Sequence, residues 1–414
     1  MKTTAILVLA AVLLAPAAAR ANGYDVPNMG ARDLALAGGA VADQVDAAAA
    51  IQNPAALARQ PGLGLSVSAG YLDLRTKWTS TSPSLDPMSP DRTNYHPVPP
   101  PVIAASYGFD LFGRRAGVGA AFNVIAGGNM FWDDEWAGRG EIITVDRKLF
   151  GGYLTAGYEV LPTLRVGGGL VYIYSTEYLK QGIQPYPDAY GEVFVDGDGI
   201  GYDVSAEWTP IDALTIGVDY KHQVHLELEG DAHLVAPPAL VEAAPELVDQ
   251  GMSHSFRFPN QLHVGLAWRA MKTLRLLLAY EFVRYEVYDD DAFIGDAGFD
   301  AIVPRNYSNG HTLRLAAEWD ATERLAVRGG VLRDLSGVDT AYYSPSLPDA
   351  DTWVVSGGVG WKATSTLDLS AALYYAKRDD ITSTGEAFPG TYETDVLLAS
   401  IGVTWRPAFG APAR

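Results

Sequence analysis

The sequence offers few groups of side chains that could perform acid–base, nucleophilic or metal-dependent chemistry. Its seven histidines are scattered, and the absence of cysteine excludes a thiolate metal site and a cysteine nucleophile. His222 and His225 are three residues apart, so in a strand they point to opposite faces and cannot share a metal ion. His254 precedes Ser255, but neither a G-x-S-x-G motif nor a clear acid partner accompanies them. We therefore predict no enzyme activity, no cofactor and no metal site.

Two acidic stretches contain carboxylates that could bind calcium. One is Asp196-Gly-Asp-Gly199, and the other runs from Asp289 to Asp291 and continues with Asp296 and Asp300. Neither has the twelve-residue spacing and distal glutamate of an EF-hand loop. We interpret both as solvated acidic loops. Contact of such loops with lipopolysaccharide through divalent cations is a hypothesis that bound Ca²⁺ or Mg²⁺ would test.

The first 21 residues have the features of an export signal. Lys2 precedes an apolar run, residues 5–17, and Ala19-Arg20-Ala21 fits the small-x-small cleavage rule. The formal net charge of −19 argues against binding to nucleic acid, whose phosphates require a basic surface. Beyond residue 21, no charge-free apolar run approaches the ~20 residues that a spanning helix requires. These features leave a periplasmic protein, a secreted protein or an outer-membrane barrel.

An aromatic residue followed six positions later by leucine recurs along the chain. The pairs are Trp208 and Leu214, Trp268 and Leu274, Trp319 and Leu325, Trp361 and Leu367, and Tyr158 and Leu164. Each pair brackets a short turn between two segments of alternating hydrophobicity, which indicates a repeated supersecondary unit. Aromatic residues at the same level of every second strand are typical of a barrel at the membrane interface. The pattern favours a transmembrane barrel over a soluble sandwich.

Alternating hydrophobicity predicts fourteen strands. Their approximate bounds are 63–78, 101–110, 114–126, 141–159, 164–178, 199–208, 213–229, 256–268, 273–287, 309–319, 324–334, 352–362, 367–378 and 393–405. Short turns follow the even strands and long loops follow the odd ones, as in barrels of the bacterial outer membrane. Five tryptophans end even strands: Trp208, Trp268, Trp319, Trp361 and Trp405. We expect the apolar face of each strand to contact lipid and the mixed face to line the lumen.

Residues 22–60 differ from the rest of the chain, because they are rich in alanine and glycine and do not alternate. A barrel of fourteen strands leaves an aqueous lumen unless something fills it. We therefore predict an all-β fold, a 14-stranded antiparallel transmembrane β-barrel with a small N-terminal helical plug (hatch) in the lumen. The expected division is a signal peptide at 1–21, the plug at 22–60, the barrel at 61–407 and a C-terminal tail at 408–414.

Several short motifs occur in an order that is informative as a set. They are Gly-Gly-Ala-Val-Ala-Asp at 38–43, Asn53-Pro54-Ala55, Phe258-Pro259-Asn260 leading to Trp268, Arg328-Gly329-Gly330, and Leu-Pro-Asp-Ala-Asp at 347–351. Together with the signal sequence and the fourteen strands, the chain resembles the FadL family of outer-membrane transporters over most of its mature length. Ala56 replaces the glycine often found after N-P-A, and the chain ends in Arg414 rather than an aromatic residue, so Trp405 is expected to end the last strand.

The resemblance implies passive uptake of hydrophobic molecules, such as long-chain fatty acids or hydrocarbons, across the bacterial outer membrane. In the family, the solute is captured at outer loops, enters an apolar site in the lumen and leaves sideways where the third strand kinks against the hatch. The gating residues expected on this basis are Asn22, Gly23, Tyr24, Asn53, Pro54 and Ala55 in the N-terminal segment, with Phe122, Asn123, Gly127 and Gly128 near the lateral opening.

Two other functions are compatible with a barrel. A general diffusion porin would have a charged, unobstructed lumen and would conduct small ions. A lipid-modifying barrel enzyme would need a nucleophile, for which Ser255 is the candidate, and loss of activity in Ser255→Ala would be required to support it. We expect a monomer whose partners are hydrophobic small molecules, outer-membrane lipid and lipopolysaccharide.

Overall fold

The computed structural model describes residues 27–384 and 387–407, so the signal segment, Asn22, Gly23, Tyr24 and the last seven residues lie outside the described residues. Fourteen antiparallel strands form the wall: β1 Gly62–Ser80, β2 Pro101–Leu111, β3 Arg114–Phe131, β4 Thr144–Leu161, β5 Leu164–Gly182, β6 Tyr190–Ile211, β7 Leu214–Lys221 continued as Val224–Val235, β8 Gln250–Phe258 continued as Gln261–Met271, β9 Leu274–Val283, β10 Gly310–Asp320, β11 Leu325–Leu335, β12 Thr352–Lys362, β13 Leu367–Arg378 and β14 Gly390–Trp405.

Pairing of the last strand with the first closes the sheet into a barrel. β14 and β1 pair from Leu65 with Trp405 to Ser80 with Gly390. Closure removes both sheet edges, so the backbone groups of a lipid-facing wall can be hydrogen-bonded within the protein. The predicted fourteen-stranded fold is confirmed, and Trp405 is the last residue of β14.

The recurring tryptophan and leucine residues meet across neighbouring strands. Trp208 pairs with Leu164, Trp268 with Leu214, Trp319 with Leu274, Trp361 with Leu325, and Trp405 with Leu367. Each tryptophan lies at or near the end of an even strand, opposite the leucine that begins the preceding odd strand. All five tryptophans are 38–52% exposed, so their rings form a belt around one rim of the outer surface. Such a belt suits a membrane–water interface.

Several strands extend further than the sequence pattern predicts. β6 begins at Tyr190, and the stretch Asp196-Gly-Asp-Gly199, interpreted above as a solvated loop, pairs with β5 and β7 inside the sheet. The loop expected between the predicted strands 213–229 and 256–268 is shorter, because β7 continues to Val235 and β8 begins at Gln250. Both interpretations were wrong because polar residues can continue a ladder beyond the lipid, where hydrophobic alternation is no longer required.

Residues 27–60, called the hatch from here on, lie inside the barrel. They contain helix α1 (Ala31–Ala35), helix α2 (Ala49–Gln52) and a 3₁₀-helix (Pro54–Arg59). Pro54 occupies the first turn of the 3₁₀-helix, where its missing N–H costs no hydrogen bond. The predicted plug in the lumen is therefore present, built from helices too short to be stable alone.

The outer loops carry the remaining short elements. These are 3₁₀-helices Asp86–Met88 and Tyr285–Val287, helix α3 (Pro238–Ala243), strands Asp91–Arg92 and Ile381–Thr382, and a hairpin of Asp290–Gly295 with Asp300–Pro304. Within the described residues, no helix has the length and apolar character needed to cross a membrane.

Candidate functional site: the hatch, the lumen cavity and a gap in the wall

Buried ion pairs attach the hatch to the barrel wall. Arg32 in α1 contacts the Asp43 Oδ2 atom at 2.6 Å within the hatch and the Glu318 Oε2 atom at 2.9 Å on β10. Glu318 also accepts from Arg328 Nε at 2.7 Å and pairs with Arg275. A buried carboxylate shared by three guanidinium groups is stable only while all partners stay in place. The network therefore links the position of α1 to the wall.

Serine and threonine side chains of the wall bond to the hatch backbone around the barrel. Ser68 accepts from Ala31 N at 3.3 Å and Ser205 accepts from Ala55 N at 2.9 Å, whereas Thr155, Ser356 and Ser400 donate to the carbonyl oxygens of Ala50, Ala35 and Met29 at 3.3, 3.0 and 2.6 Å. These residues belong to β1, β6, β4, β12 and β14 respectively. Because short hatch helices leave many backbone groups unpaired, the wall supplies the missing partners.

Glycines allow the hatch backbone to touch the wall directly. At Gly157 and Gly167, an added Cβ atom would overlap the backbone of Pro54 and Ala55. Similar overlaps with the hatch would arise at Gly108, Gly117, Gly217 and Gly330. No side chain other than hydrogen fits such close backbone approach. The glycines on the inner face are thus part of the hatch contact.

The motif residues singled out above sit in the hatch. Asn53 is fully buried, and its Nδ2 atom donates to Val41 O at 2.9 Å. Gly38 has φ +74°, a conformation that favours glycine, and it follows the end of α1. Pro54 and Ala55 are buried, and Ala55 N donates to Ser205 on the wall. These residues hold the folded hatch in contact with the wall, and their part in gating stays a prediction.

The wall is interrupted between β2 and β3. Their pairing runs from Leu111 and Arg114 to Val102 and Asn123 and stops there. The register of β3 against β4 shifts between Val124 and Ala126, which places a bulge in β3. The part of the chain that the structure describes shows no backbone hydrogen bond between residues 97–101 and 124–130. We call this interruption the β2–β3 gap.

The edges of the gap are held by different neighbours. Before β2, Gly70 N donates to Pro100 O at 3.0 Å, and Leu72 and Val98 exchange two bonds of 2.9 Å, so this segment stays on β1. β3 stays paired with β4 through Phe131. The two edges meet again where Asn94 N donates to Phe131 O at 2.6 Å. The gap is therefore bounded above and below by backbone contacts.

A cavity of about 330 Å³ lies behind the gap in the lumen. Residues of both gap edges line it, and its other walls include Leu72, Leu332, Val354, Tyr374 and Leu398. Six charged residues also line it: Arg147, Lys148, Arg314, Asp334, Asp349 and Arg378. Burial raises the pKa of Asp349 well above its usual range, which favours the neutral carboxyl form. The surface of the cavity is thus mainly apolar, although several charged side chains also line it.

The four predicted residues of β3 occupy different sides of the wall. Asn123 is buried on the lumen side, while Phe122 is 39% exposed on the outer surface and stacks on Phe150 with ring centroids 6.0 Å apart. Gly127 and Gly128 line the 330 Å³ cavity, and a Cβ atom at Gly128 would have open space around it. The structure therefore brings Gly127 and Gly128 to the gap and places Phe122 toward lipid.

A second, smaller cavity of about 110 Å³ lies between the hatch and the wall, where residues of β3 to β5 and of β7 to β11 line it. Its surface is also mainly apolar, but Gln52, Lys221, His263 and Glu281 add polar and charged groups. His263 contacts Glu281 at 3.1 Å and Asp219 at 3.5 Å. The two cavities share Arg314 and Leu332 in their lining. A hydrophobic solute in the larger cavity would meet charged groups if it moved toward the hatch.

Sequence reasoning missed the role of His263. Alternation in β7 places Asp219 and Lys221 on the mixed face that lines the lumen, but it does not identify the neighbouring strands that complete the network. The register pairs His263 with both Asp219 and Glu281, and only the strand order reveals this. Inward spacing of charged residues in consecutive strands was the available signal.

A second ion network lies beneath the outer loops. Asp291 is 2% exposed and contacts Arg147 at 3.1 Å and Arg305 at 2.8 Å. The interpretation of Asp291 as solvated was therefore wrong, because the outer hairpin folds onto two arginines. Tyr288 also donates to Asp291 at 2.6 Å, and these charge-assisted bonds help to keep the pKa of Asp291 far below its usual range, despite the opposing effect of burial. The network fixes the hairpin over the lumen.

Histidine and serine at 254 and 255 do not form a catalytic pair. His254 is 1% exposed and hydrogen-bonds through Nδ1 to Ala292 O at 3.0 Å, while Ser255 lies on the opposite, exposed face. In residues 27–384 and 387–407, no three His, Asp or Glu side chains lie close enough to hold a metal ion. The geometry gives these groups structural contacts.

Aromatic side chains pack the outer end of the barrel. Trp132 stacks on Trp136 with centroids 4.1 Å apart, and Trp78 meets Trp136 edge-on at 6.0 Å. Tyr343 and Tyr392 complete the cluster, and all five residues are at most 3% exposed. Such burial contributes strongly to stability. The outer loops are therefore joined to the ends of β1 and β14 as a packed cap.

A closed barrel, a plug held inside it and an interrupted wall are now established, and sequence comparison identifies the family. The family model for the outer membrane protein transport protein (OMPP1/FadL/TodX) matches residues 12–406. The chain belongs to this family. A 47 kDa outer membrane protein of Pasteurella multocida (strain Pm70) is 23% identical over 437 residues, covering 98% of this chain and 99% of that protein.

Solved structures of family members have the same fold. A Pseudomonas aeruginosa FadL homologue has a TM-score of 0.84 at 19% identity, covering 93% of this chain and 99% of its own. The toluene transporter TodX of P. putida has a TM-score of 0.72 at 16% identity, with coverages of 91% and 97%. At these identities, the similarity establishes the barrel and its plug. This FadL-type chain is thus an outer-membrane transport protein, as the sequence predicted.

Proposed function

We propose that this protein carries hydrophobic molecules passively across the outer membrane and releases them sideways through the β2–β3 gap. The observation that carries the proposal is that one apolar cavity in the lumen is lined by both edges of the gap. A solute in that cavity is therefore adjacent to the lipid-facing wall. Toward the periplasm, the route is filled by the hatch.

The chemistry of the two directions differs in a way that favours lateral release. Toward the hatch, the smaller cavity presents Lys221, His263 and Glu281, whereas the gap edges, residues 97–101 and 124–130, carry no charged side chain. An apolar solute gains about 25 cal/mol per Å² on leaving water. It therefore moves from the outer loops into the cavity and from the cavity into lipid without an energy source.

The substrate class follows from the same lining. Aliphatic and aromatic side chains surround most of the cavity, and Arg378 lies within the lining. Both a long-chain fatty acid and a monoaromatic hydrocarbon are compatible with such a site. To decide between these two substrates, the uptake of each is measured in cells that express the protein and in cells that do not. Contact with lipopolysaccharide and the monomeric state stay predictions.

Gly128→Trp tests the lateral route. An added side chain at Gly128 enters open space at the gap, so it should obstruct the route without disturbing the barrel. We expect at least a tenfold lower initial rate of uptake of labelled fatty acid and of toluene.

The matched control is Gly329→Trp, because Gly329 lies on β11, away from the gap, and the nearest atom to its Cβ would be 3.8 Å away. It should transport as the wild type does. Unchanged uptake in Gly128→Trp, with the variant folded and in the membrane, would exclude the β2–β3 gap as the route.

A further inference from the structure

The segment before β2 has the sequence Pro97-Val-Pro-Pro-Pro101 and forms one edge of the gap. It follows β1 in a fixed register. Leu72 and Val98 exchange two hydrogen bonds of 2.9 Å, and Gly70 N donates to Pro100 O at 3.0 Å. The even-numbered residues of this segment therefore direct their backbone groups toward β1.

Backbone groups of adjacent residues in a strand point to opposite sides. Since Val98 and Pro100 face β1, the backbone groups of Pro97, Pro99 and Pro101 face β3. All three of these residues are prolines, and proline has no N–H to donate. This edge thus offers β3 carbonyl acceptors but not a single donor over five residues.

The same strand provides a comparison a few residues further on. Ile103 and Ala105 have the same parity as the three prolines, and they pair with Phe122 and Ala120 of β3. The pairing of β2 with β3 therefore ends where the residues of β2 that face β3 no longer have an N–H to donate. The bulge at Ile125 shifts β3 in the same region, so the geometry of both edges changes together.

We propose that Pro97, Pro99 and Pro101 hold the β2–β3 gap open by removing every donor that its β2 edge would direct at β3. This inference rests on the lateral route proposed above and names the positioning residues that maintain it. The backbone of Pro100 faces β1, so its missing N–H has no part in keeping the gap open.

The prolines act in two physical ways. They remove about half of the hydrogen bonds that closure of the wall would form, so closure has less to stabilise it. They also remove three donors that would otherwise stay unpaired in an open edge at membrane depth, where water is scarce. Both effects favour an open edge over a closed ladder.

The test compares a triple variant, Pro97→Val with Pro99→Val and Pro101→Val, with the single variant Pro100→Val. The triple variant restores three donors toward β3, whereas the control adds one donor toward β1. Amide hydrogen exchange of residues 124–130 reports closure in lipid nanodiscs, and the initial rate of fatty-acid and toluene uptake reports transport.

We expect exchange in residues 124–130 to slow at least tenfold in the triple variant, with a tenfold loss of uptake, and neither change in Pro100→Val. Slower exchange with normal uptake would support the role of the prolines and overturn the lateral route. Unchanged exchange in the triple variant, folded by circular dichroism, would overturn the role of the prolines whatever the uptake. Should the triple variant fail to fold, Pro99→Val alone is judged by the same two outcomes.

Discussion

Backbone segments approach each other closely where the hatch packs on the wall, but they stay apart at the β2–β3 gap. Along β2 to β5, inward glycines let the hatch backbone pack against the wall, and Ser205 on β6 supplies a hydrogen bond. At the gap, prolines and a bulge leave two strand edges apart. Glycine lacks a side chain, and proline lacks an N–H donor. The glycines let the hatch pack tightly against the wall, whereas the prolines leave the β2–β3 gap open. Glycine permits close approach of two backbone segments, whereas proline removes a hydrogen bond between them.

Charge distribution follows the same division. The sealed region is crossed by buried ion pairs centred on Glu318, whereas the cavity at the gap is mainly apolar. Buried ion pairs fix geometry, because removal of one partner leaves an uncompensated charge. The apolar side chains that form most of the cavity surface impose no such requirement. A hydrophobic solute can therefore enter the cavity without breaking the contacts that keep the plug in place.

The largest expected effect comes from Glu318→Ala. Arg32, Arg275 and Arg328 would then face one another without their shared carboxylate, which costs about 3–5 kcal/mol in a buried network. We expect α1 to detach from β10 and ion conductance across planar bilayers to rise at least tenfold.

The control for this variant is Glu323→Ala, an exposed carboxylate in the turn after β10. It should conduct no more than the wild type. A steady, large open pore in the wild-type protein would instead support a general diffusion porin and contradict a lumen sealed by the hatch.

A smaller effect is expected from Gly157→Val on β4. The new Cβ atom would overlap the carbonyl oxygen of Pro54, a backbone atom that cannot rotate away. Overpacking of this kind costs about 1–3 kcal/mol. Amide exchange in the 3₁₀-helix Pro54–Arg59 should accelerate about tenfold.

Gly329→Val is the matched control, since its Cβ atom would meet nothing closer than 3.8 Å. Equal exchange in both variants would show that the glycines on the inner face are not what lets the hatch pack closely.

The barrel was predictable because its signals are local. Period-two hydrophobicity identifies lipid-facing strands, and tryptophans such as Trp319 mark one rim whatever the neighbouring strands contain. The plug was predictable from composition, since a small-residue segment precedes a wide barrel. The family resemblance then named a function that barrel geometry alone leaves open.

The site was less predictable because it depends on contacts between distant residues. His263 gains its partners from β7 and β9, and Asp291 gains Arg147 and Arg305 from β4 and an outer loop. Strand ends such as Tyr190 lie beyond the lipid, where alternation fades. The four prolines within residues 97–101 are evident in the sequence. Which of them face β3 is known only from the hydrogen bonds of Val98 and Pro100 to β1.

The smallest predicted effect concerns how the stability of the hatch depends on pH. Asp33 in α1 is buried, and burial raises its pKa to about 7 against the opposing effect of the Arg32 guanidinium. Between its ordinary value of 3.8 and about 7, folded Asp33 keeps a proton that the unfolded hatch would release. Its contribution to stability is therefore complete below about pH 4, decreases as pH rises to 7, and is constant above.

Asp33→Asn removes this titration while keeping a side chain that can bond to its neighbours Asn28 and Gln44. After correction for intrinsic exchange rates, amides in α1 of the wild type should be several-fold less protected at pH 8 than at pH 5. The variant should show the same protection at both values. Wild-type protection that instead rises between pH 5 and pH 8 would mean that Asp33 is ionised in the sealed hatch, and that Arg32 outweighs burial there.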